Sequence, residues 1–191
     1  MKPFSIIVAA TASTMGIGKK GDLPWRIAED MNFFKTVTTT TTLSNPHDDS
    51  GFKNAVIMGR KTWESIPPKF RPLSDRVNVV LSKNPDARTL LQLPENVLIA
   101  QSLDEALLKL NADGSKIDRI FVIGGSSLFA EAIKSKLCSR IYLTEVELND
   151  PEIDTFFPII PRNIFQLVKR SEKKSDKTLS LSYRFMEFSS I

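Results

Sequence analysis

The stretch Ile120-Phe121-Val122-Ile123-Gly124-Gly125-Ser126-Ser127-Leu128-Phe129 decides the fold class of this sequence. Its β-branched and aromatic start predicts a buried strand over Arg119–Ile123, and the glycines and serines that follow predict a helix over Ser127–Lys136. Because glycine has no side chain, a ligand can lie against this backbone and meet free N–H groups. A tight strand-to-helix turn without a ligand is the alternative interpretation.

Outward from this turn, strand and helix patterns alternate along most of the chain. Further apolar runs that predict buried strands are Ser5–Ala10, Asn54–Met58, Val77–Leu81 and Ile141–Val146. Helical patterns cover Arg26–Lys35 and Leu103–Leu110, and the second begins with Ser102 and Glu105 at capping-box spacing. This alternation predicts an α/β domain with a largely parallel sheet.

Two other segments add detail to this fold. Thr178–Phe188 alternates apolar and polar residues, which predicts an antiparallel strand added late in the chain. The threonine-rich segment Thr36–Thr42 is β-prone, and Leu43–Lys53 after it has the composition of a polar loop.

Composition excludes several classes of protein and of site. The 191 residues are 41% hydrophobic and 25% charged, which fits one globular domain over residues 1–191. The single cysteine, Cys138, fits a reducing, cytoplasmic compartment, and with the single histidine, His47, it cannot build a His/Cys zinc site, so we expect no metal. No apolar run is long enough to cross a membrane. A formal charge of +4, without aromatic residues among the basic ones, argues against nucleic acid binding.

The run Gly16-Ile17-Gly18-Lys19-Lys20-Gly21 matches the letters of a dinucleotide-binding fingerprint. Such a fingerprint should open a helix directly, whereas Asp22-Leu23-Pro24 intervenes here. We therefore expect a mobile glycine-bearing loop, which could close over a ligand.

An acid lies on the apolar stripe of the helix after Pro24. Ile27, Met31 and Phe34 recur at helical spacing, which predicts a buried face, and Asp30 points the same way. One interpretation is a carboxylate that faces a ligand pocket. Burial would then raise the pKa of this carboxylate. The other is an aspartate in a first helical turn, which the helix dipole favours.

Basic residues follow two of the predicted strands. Gly59-Arg60-Lys61-Thr62 ends one strand and Ser82-Lys83 ends the next, so parallel pairing would join them into a phosphate site. Solvated charge at strand ends is the alternative. The proline-stiffened loop Pro67–Arg76 holds Arg71 and Arg76, and a fixed guanidinium there could bind a carboxylate.

These motifs, in this order, resemble the dihydrofolate reductase family, and especially eukaryotic members such as those of fungi or protists. The resemblance spans nearly the whole chain. It lies in Val8-Ala9, Met15–Gly18, Asp22–Trp25, Asp30, Met58–Pro67, Arg71–Leu73, Arg76, Ile123–Ser127, Leu143-Thr144 and Asp154–Pro158.

The resemblance implies a single domain with a mixed, mostly parallel sheet of eight strands flanked by helices. It implies NADPH-dependent reduction of 7,8-dihydrofolate to tetrahydrofolate, by hydride transfer to C6 and protonation of N5, in support of one-carbon and thymidylate metabolism. Asp30 would hold the amino-pyrimidine edge of the pteridine and promote the protonation, with the proton arriving through water. Thr144 would fix the orientation of Asp30.

The resemblance also implies which residues contact each ligand. Those implied for the substrate are Ile7, Val8, Leu23, Asp30, Met31, Phe34, Ser65, Ile66, Phe70, Leu73, Arg76, Ile123 and Thr144. Those implied for NADPH are Ala9, Ile17, Gly18, Gly21, Asp22, Gly59, Arg60, Lys61, Thr62, Leu81, Ser82, Lys83, Gly124, Gly125, Ser126, Ser127, Leu128 and Phe129. Arg76 would pair with the α-carboxylate of the glutamate tail, and Arg60, Ser82 and Lys83 would favour the 2′-phosphate. The Gly124–Gly125 peptide bond is implied to be cis.

Some features depart from the family's pattern, and some alternatives stay open. Phe129 stands where many relatives carry tyrosine, and the loop Thr38–Lys53 is longer than expected.

A related NADPH reductase that acts on a pyrimidine precursor of flavins would share the fold without demanding Asp30 together with Arg76. A catalytically silent nucleotide-binding module is a third interpretation. The expected partners are dihydrofolate and antifolate-type small molecules, with the chain acting as a monomer, although some protists fuse this family to thymidylate synthase.

Overall fold

A computed structural model describes residues 1–43 and 51–191 of the chain. The strands, in chain order, are β1 (Phe4–Thr11), β2 (Gly16–Gly18), β3 (Lys53–Gly59), β4 (Arg76–Leu81), β5 (Leu98–Ala100), β6 (Ile117–Val122), β7 (Cys138–Glu147), β8 (Thr155–Phe156), β9 (Phe165–Arg170), β10 (Lys174–Asp176) and β11 (Leu181–Ser190). The helices are α1 (Ala28–Thr39), α2 (Arg60–Ser65), α3 (Ala87–Leu90), α4 (Leu103–Leu110) and α5 (Ser126–Ala132), with a short 3-10 turn at Pro68–Phe70.

Nine strands occupy eight positions of one mixed sheet, in the order β10-β11-β7-β1-β6-β3-β4-β5. β1 is parallel to both of its neighbours, β6 and β7, and β3, β4 and β5 continue the parallel pairing beyond β6. β11 pairs antiparallel with β7, as the alternating C-terminal pattern predicted. β9 and β10 pair with successive parts of β11 and so share one edge position. β2 and β8 form a separate two-stranded ribbon.

The two faces of the sheet carry separate hydrophobic clusters, because successive strand residues point to opposite sides. On β1, Ile6 and Val8 join the cluster under α4 and α5, whereas Ile7 joins the cluster covered by α1 and α2. A third, smaller cluster of buried residues comprises Trp25, Ile27, Val146 and Tyr183. The segment that leads into α1 is therefore fixed to β7 and β11 separately from the main core.

The predicted strands are confirmed, with differences only at their ends. β6 ends at Val122 rather than Ile123, and β11 begins at Leu181 because the three residues before it form a turn. The predicted capping box of α4 is present, since Ser102 Oγ accepts a hydrogen bond from the Glu105 backbone N–H at 3.1 Å. α5 is shorter than predicted because the chain turns towards β7 directly after Ala132.

The prediction for α1 needs correction at both ends. The helix begins two residues later than expected and runs through Thr39, so the β-prone interpretation of the threonines was wrong there. The hydroxyls of Thr38 and Thr39 donate to backbone carbonyls one turn earlier, at 2.7 and 2.8 Å. Residues 44–50 of the predicted polar loop lie outside the described residues.

Two further observations apply to residues 1–43 and 51–191. No helix there is both long and apolar enough to span a membrane. No group of three or more His, Cys, Asp or Glu side chains there is arranged to hold a metal ion. Cys138 is free and buried, and burial raises the pKa of its thiol to about 12.

Candidate active site

The carboxyl ends of the parallel strands gather most of the predicted ligand residues at one edge of the sheet. Ala9 on β1 lies opposite Thr144 on β7, and Gly59 at the end of β3 lies opposite Leu81 at the end of β4. Ligands of open α/β sheets bind beyond this edge. The fold thus brings together, as neighbours, residues that are far apart in the sequence.

A glycine cradle forms where β3 and β6 each turn into a helix. The Gly59 N–H donates to the Gly124 carbonyl oxygen at 2.8 Å, and the Gly124–Gly125 peptide bond is cis, as expected. Gly124 has a φ of +122°, and a Cβ there would lie 3.2 Å from Thr62 Oγ1. Only glycine fits this position without displacing a neighbour. The start of α5, next to Gly124, offers backbone N–H groups to an anion.

Basic side chains flank the cradle, as predicted for a phosphate site. Arg60 and Lys61 begin α2 and are exposed, and Lys83, just beyond β4, is exposed as well. Arg60 already forms an ion pair with Glu64, one turn along α2, at 2.9 Å. A ligand phosphate at Arg60 would therefore share this guanidinium with a carboxylate.

The glycine run before Pro24 begins as strand β2 of a two-stranded ribbon and does not open a helix, so it is not a dinucleotide-binding fingerprint. The mobility expected of this segment stays a prediction. Gly16 pairs with Phe156 of β8, and a Cβ at Gly16 would lie 2.5 Å from the side chain of Ile153, which precedes β8. Lys19 bridges two acids, Asp150 at 2.9 Å and Glu152 at 2.5 Å. These contacts hold the loop against the segment that leads into β8.

Asp22, a predicted cofactor residue, is exposed and engaged locally. Its carboxylate accepts a hydrogen bond from the Leu23 backbone N–H at 2.7 Å and pairs with Arg26 at 3.0 Å. The first of these contacts lowers the pKa of the Asp22 carboxyl, and the ion pair adds to the effect. Gly21 before it has a φ of +84°, in a turn closed by two backbone hydrogen bonds between Lys19 and Asp22.

Asp30 lies in the first turn of α1 and is partly buried. Burial raises the pKa of its carboxyl above the ordinary value, and the side chains of Thr144 and Trp25 beside it lower that pKa to a smaller extent. The dipole interpretation of this aspartate would leave the carboxyl in solvent with a lowered pKa. The raised pKa instead fits a carboxyl that is removed from solvent, as the ligand-pocket interpretation predicts.

The Trp25 indole is the unpaired polar group next to Asp30. Trp25 is 4% exposed, and its Nε1 forms no hydrogen bond of ordinary length with any described residue. A buried N–H without a partner is unfavourable unless water or a ligand accepts from it. The Trp25 N–H lies next to the Asp30 carboxyl and is available to a bound water or ligand.

The apolar face of α1 differs from the predicted stripe. Ile27 is the residue before the helix and packs in the third cluster, and Met31 is 51% exposed. Phe34 packs against the sheet as predicted, and it does so together with Phe33 and Val37. The spacing identified an apolar helix correctly, but the helix is rotated so that the side bearing Met31 is left uncovered.

Large apolar residues are exposed around this part of the molecule. Leu23 is 46% exposed and Phe70 is 58% exposed, in addition to Met31. The predicted substrate residues that pack with the cluster on the α1 face are Ile7, Phe34, Ile66, Leu73 and Ile123. Uncovered apolar side chains next to a buried apolar cluster are typical of a ligand cleft.

Ser65, a polar residue predicted to contact the substrate, is exposed, and its hydroxyl donates to the Thr62 carbonyl oxygen at 2.7 Å.

Three predicted ligand residues point into the core on the other side of the sheet. Val8 belongs to the cluster under α4 and α5, so only its backbone can meet a ligand on the α1 face. Leu128 and Phe129 are 5% and 3% exposed in the same cluster. The Phe129 backbone N–H also donates to the Gly125 carbonyl oxygen. Phe129 therefore offers neither its buried side chain nor its N–H to a cofactor.

Arg76 is held rigidly at the start of β4. Its Nε donates to the Ser74 carbonyl oxygen and one terminal nitrogen donates to Thr38 Oγ1, both at 2.8 Å. Burial lowers the pKa of its guanidinium, which Asp75 partly counteracts, and no described carboxylate lies within ion-pair distance. Arg71 likewise donates to a backbone carbonyl oxygen, that of Trp63, at 2.9 Å and forms no ion pair with a described carboxylate. Both arginines of this loop are therefore suited to a ligand carboxylate.

The sequence analysis did not predict the contact between β11 and the first turn of α1, next to Asp30. Tyr183 on β11 donates to Glu29 on α1 at 2.5 Å, across 154 positions of the chain. The alternation of the C-terminal strand does show that Tyr183 and Phe185 share a face. No local pattern shows which helix that face meets.

Comparisons with known proteins agree on one family. A sequence-family model described as "Dihydrofolate reductase" matches residues 4–190. The dihydrofolate reductase of Aedes albopictus is 39% identical over 98% of both chains, and that of Candida albicans is 43% identical over 81% of this chain and 77% of its own. The solved structure of the Schistosoma mansoni enzyme superposes with a TM-score of 0.80 at 34% identity, covering 98% of both chains.

Some relatives are longer than this chain. A bifunctional dihydrofolate reductase-thymidylate synthase of Arabidopsis thaliana is 45% identical over 86% of this chain, which spans 30% of that relative's length. The match over nearly the whole chain, the shared fold, and the glycine cradle at the carboxyl ends of the strands all lead to the same assignment. The chain belongs to the dihydrofolate reductase family, in its eukaryotic branch.

Proposed function

We propose that residues 1–191 form one dihydrofolate reductase domain that reduces 7,8-dihydrofolate to tetrahydrofolate with NADPH. The observation that carries the proposal is the Asp30 carboxyl, partly buried and with a raised pKa, between Thr144, Trp25 and an uncovered apolar face of α1. NADPH, when bound, supplies the hydride that reduces C6 of the substrate. The names of the relatives, which are dihydrofolate reductases, support the choice of dihydrofolate as substrate.

In this proposal Asp30 binds the amino-pyrimidine edge of the pteridine and promotes protonation of N5. Because the carboxyl is removed from bulk water, neutralising charge on the bound ring is favourable there. Thr144, which is 2% exposed, fixes the orientation of the carboxyl. The unpaired Nε1 of Trp25 holds the water through which the proton travels.

The substrate's two ends meet different surfaces of the cleft. Met31, Phe34 and Phe70 contact the apolar ring system, and Arg76 binds the α-carboxylate of the glutamate tail. The fixed fork of Arg76 suits bidentate binding of that carboxylate. Antifolate-type molecules would occupy the same groups.

The cofactor lies along the glycine cradle. Gly125, Ser126 and Ser127 receive the pyrophosphate with Thr62, and the backbones of Ala9 and Ile17 meet the nicotinamide. Arg60, Ser82 and Lys83 favour the 2′-phosphate and hence NADPH over NADH. All of these groups come from one protomer, so a monomer suffices.

The test is the turnover of Asp30→Asn, followed as loss of NADPH absorbance on addition of dihydrofolate. We expect the variant to bind NADPH within a few-fold of the parent and to turn over at least about 100-fold more slowly. Asp104→Asn is the matched control, because Asp104 also lies in the first turn of a helix but is exposed. Full turnover in Asp30→Asn would contradict the role of Asp30, and NADPH binding without any dihydrofolate reduction by the parent would favour a silent nucleotide-binding module.

A further inference from the structure

We propose that Tyr183 and Glu29 are positioning residues of the reaction, which set the rotation of α1 and thereby the direction in which Asp30 points. This inference rests on the proposed function of Asp30. The Tyr183 hydroxyl donates to Glu29 Oε2 at 2.5 Å, and Glu29 and Asp30 are consecutive in the first turn of the helix.

The start of α1 lacks the usual means of fixing a helix end. Its N-cap residue is Ile27, and no side chain there accepts a hydrogen bond from the first-turn N–H groups. Because the missing cap leaves these donors to water, tertiary contacts matter more at this helix end. Ile27 is 1% exposed in the cluster with Val146 and Tyr183, which fixes the position of the turn along the sheet.

Two contacts between α1 and β11 fix the rotation of the helix. Glu29 meets Tyr183, and one turn further Phe33 stacks on Phe185 with ring centroids 4.2 Å apart. Four residues of helix rise about 6 Å, and two residues of strand rise about 6.8 Å, so both pairs can form at once. With one side of α1 held by β11 in this way, the adjacent residue Asp30 faces Thr144 on β7.

The register of the sheet joins the two sets of contacts. Phe185 lies opposite Thr144, and Tyr183 lies opposite Val146, on the adjacent strands β11 and β7. The Glu29–Tyr183 hydrogen bond and the Asp30–Thr144 contact are therefore made to neighbouring strands, two residues apart along the sheet. A small rotation of α1 that released Glu29 would also move Asp30 away from Thr144.

The charges around Glu29 keep the hydrogen bond in one form. Burial and the Glu29 carboxylate raise the pKa of Tyr183 to about 12, so its hydroxyl stays a donor at neutral pH. Lys174 on β10 forms an ion pair with the other oxygen of Glu29 and lowers the pKa of that carboxyl. Asp176 and Asp30 are the other acids that act on Tyr183. Glu29 is thus a charged acceptor held from two strands.

The test compares Tyr183→Phe and Glu29→Ala with Glu29→Gln, in single-turnover measurements of NADPH oxidation. We expect Tyr183→Phe and Glu29→Ala each to slow the chemical step about tenfold, since small misplacements of a reacting group are costly, while NADPH affinity is unchanged. Glu29→Gln keeps an acceptor oxygen for Tyr183 and should restore most of the rate. The Tyr183→Phe/Glu29→Ala double variant should be no slower than either single variant, because both remove one interaction.

Tyr142→Phe is the matched control, since the second tyrosine of the chain also makes one hydrogen bond between elements, from Arg119 at 2.7 Å. It should lower thermal stability without slowing the chemical step. If Tyr183→Phe lowers only the melting temperature, or if Glu29→Gln is as slow as Glu29→Ala, the positioning role is wrong. Asp30→Asn separates the two proposals: slow Asp30→Asn with fast Tyr183→Phe overturns only this inference, whereas fast Asp30→Asn overturns the proposed function.

Discussion

At the scale of a residue, Asp30 combines the proposed functional role with a cost to the fold. Because burial raises the pKa of its carboxyl, the folded state holds the proton at pH values where the unfolded chain has released it. Stability therefore falls as the pH rises from the ordinary pKa of 3.8 towards the folded-state value. Above that window the folded protein carries a carboxylate that would be better solvated in the unfolded chain.

Asp30→Asn should accordingly raise the melting temperature at pH 7. The gain should shrink as the pH is lowered and disappear below about pH 3.8, where the parent carboxyl is neutral in both states. Thermal unfolding followed by circular dichroism across this range measures the effect. Asp104→Asn, at an exposed helix start, should give no such gain. A variant equally destabilised at every pH would show that the buried charge does not oppose folding.

Gly124 is the residue at which the backbone conformation and the proposed cofactor site both require glycine. Gly124→Ala should cost about 1–3 kcal/mol of unfolding free energy, because alanine is strained at a φ of +122° and its Cβ meets Thr62 Oγ1 at 3.2 Å. It should also weaken NADPH binding, measured by fluorescence titration, since Thr62 must shift. Gly114→Ala is the control, with a φ of +80° in open space, and should cost about 1 kcal/mol without any effect on NADPH. Equal NADPH affinity in both variants would exclude the cradle as the binding site.

Single residues also show where sequence reasoning reaches its limit. Asp30 could be identified from its helical spacing, because an acid at that position is costly without a function or a partner. Met31 and Val8 could not be assigned correctly in the same way. Periodicity states which residues share a side of an element, but not what covers that side, and that depends on residues far away in the chain.

At the scale of elements, the C-terminal end of α1 shows tertiary contacts overriding local propensity. Threonine favours strands, yet Thr38 and Thr39 are helical, with hydroxyls that donate to carbonyls one turn earlier. Asn54 on β3 then satisfies two backbone carbonyls at this end, those of Thr38 at 3.0 Å and Thr40 at 2.8 Å. Nothing in the sequence near the threonines indicates this partner. By contrast, α4 carries its own capping box and was predicted with both ends correct.

Asn54→Ala should therefore destabilise the protein by at least about 2 kcal/mol, because it leaves buried backbone groups without partners. Asn54 is fully buried, and its Oδ1 also accepts from the Arg119 backbone N–H at 3.1 Å. Urea unfolding measures the loss. Asn32→Ala, on the exposed side of α1, should change stability by no more than about 0.5 kcal/mol. Similar values for the two variants would show that Asn54 does not hold the end of the helix.

At the scale of the whole molecule, the topology accounts for the site better than any one motif does. The alternation of strands and helices predicted a parallel sheet, and a parallel sheet places every strand-to-helix turn at one edge. The turns after β3 and β6, which are 65 residues apart between Gly59 and Gly124, meet through a 2.8 Å hydrogen bond for this reason. The antiparallel addition of β11 was predicted as well, but its contact with α1 was not.

A ligand that bridges turns from several strands should stabilise the fold as a whole. NADPH at about 100 times its Kd should add about 2.7 kcal/mol to the free energy of unfolding, because it binds only the folded cradle. NADH at the same concentration should raise the melting temperature less, since Arg60, Ser82 and Lys83 would have no 2′-phosphate to bind. Asp30→Asn should keep the NADPH shift and Gly124→Ala should lose most of it, which separates cofactor binding from catalysis. Equal shifts with NADH and NADPH would show that these three residues do not select the phosphorylated cofactor.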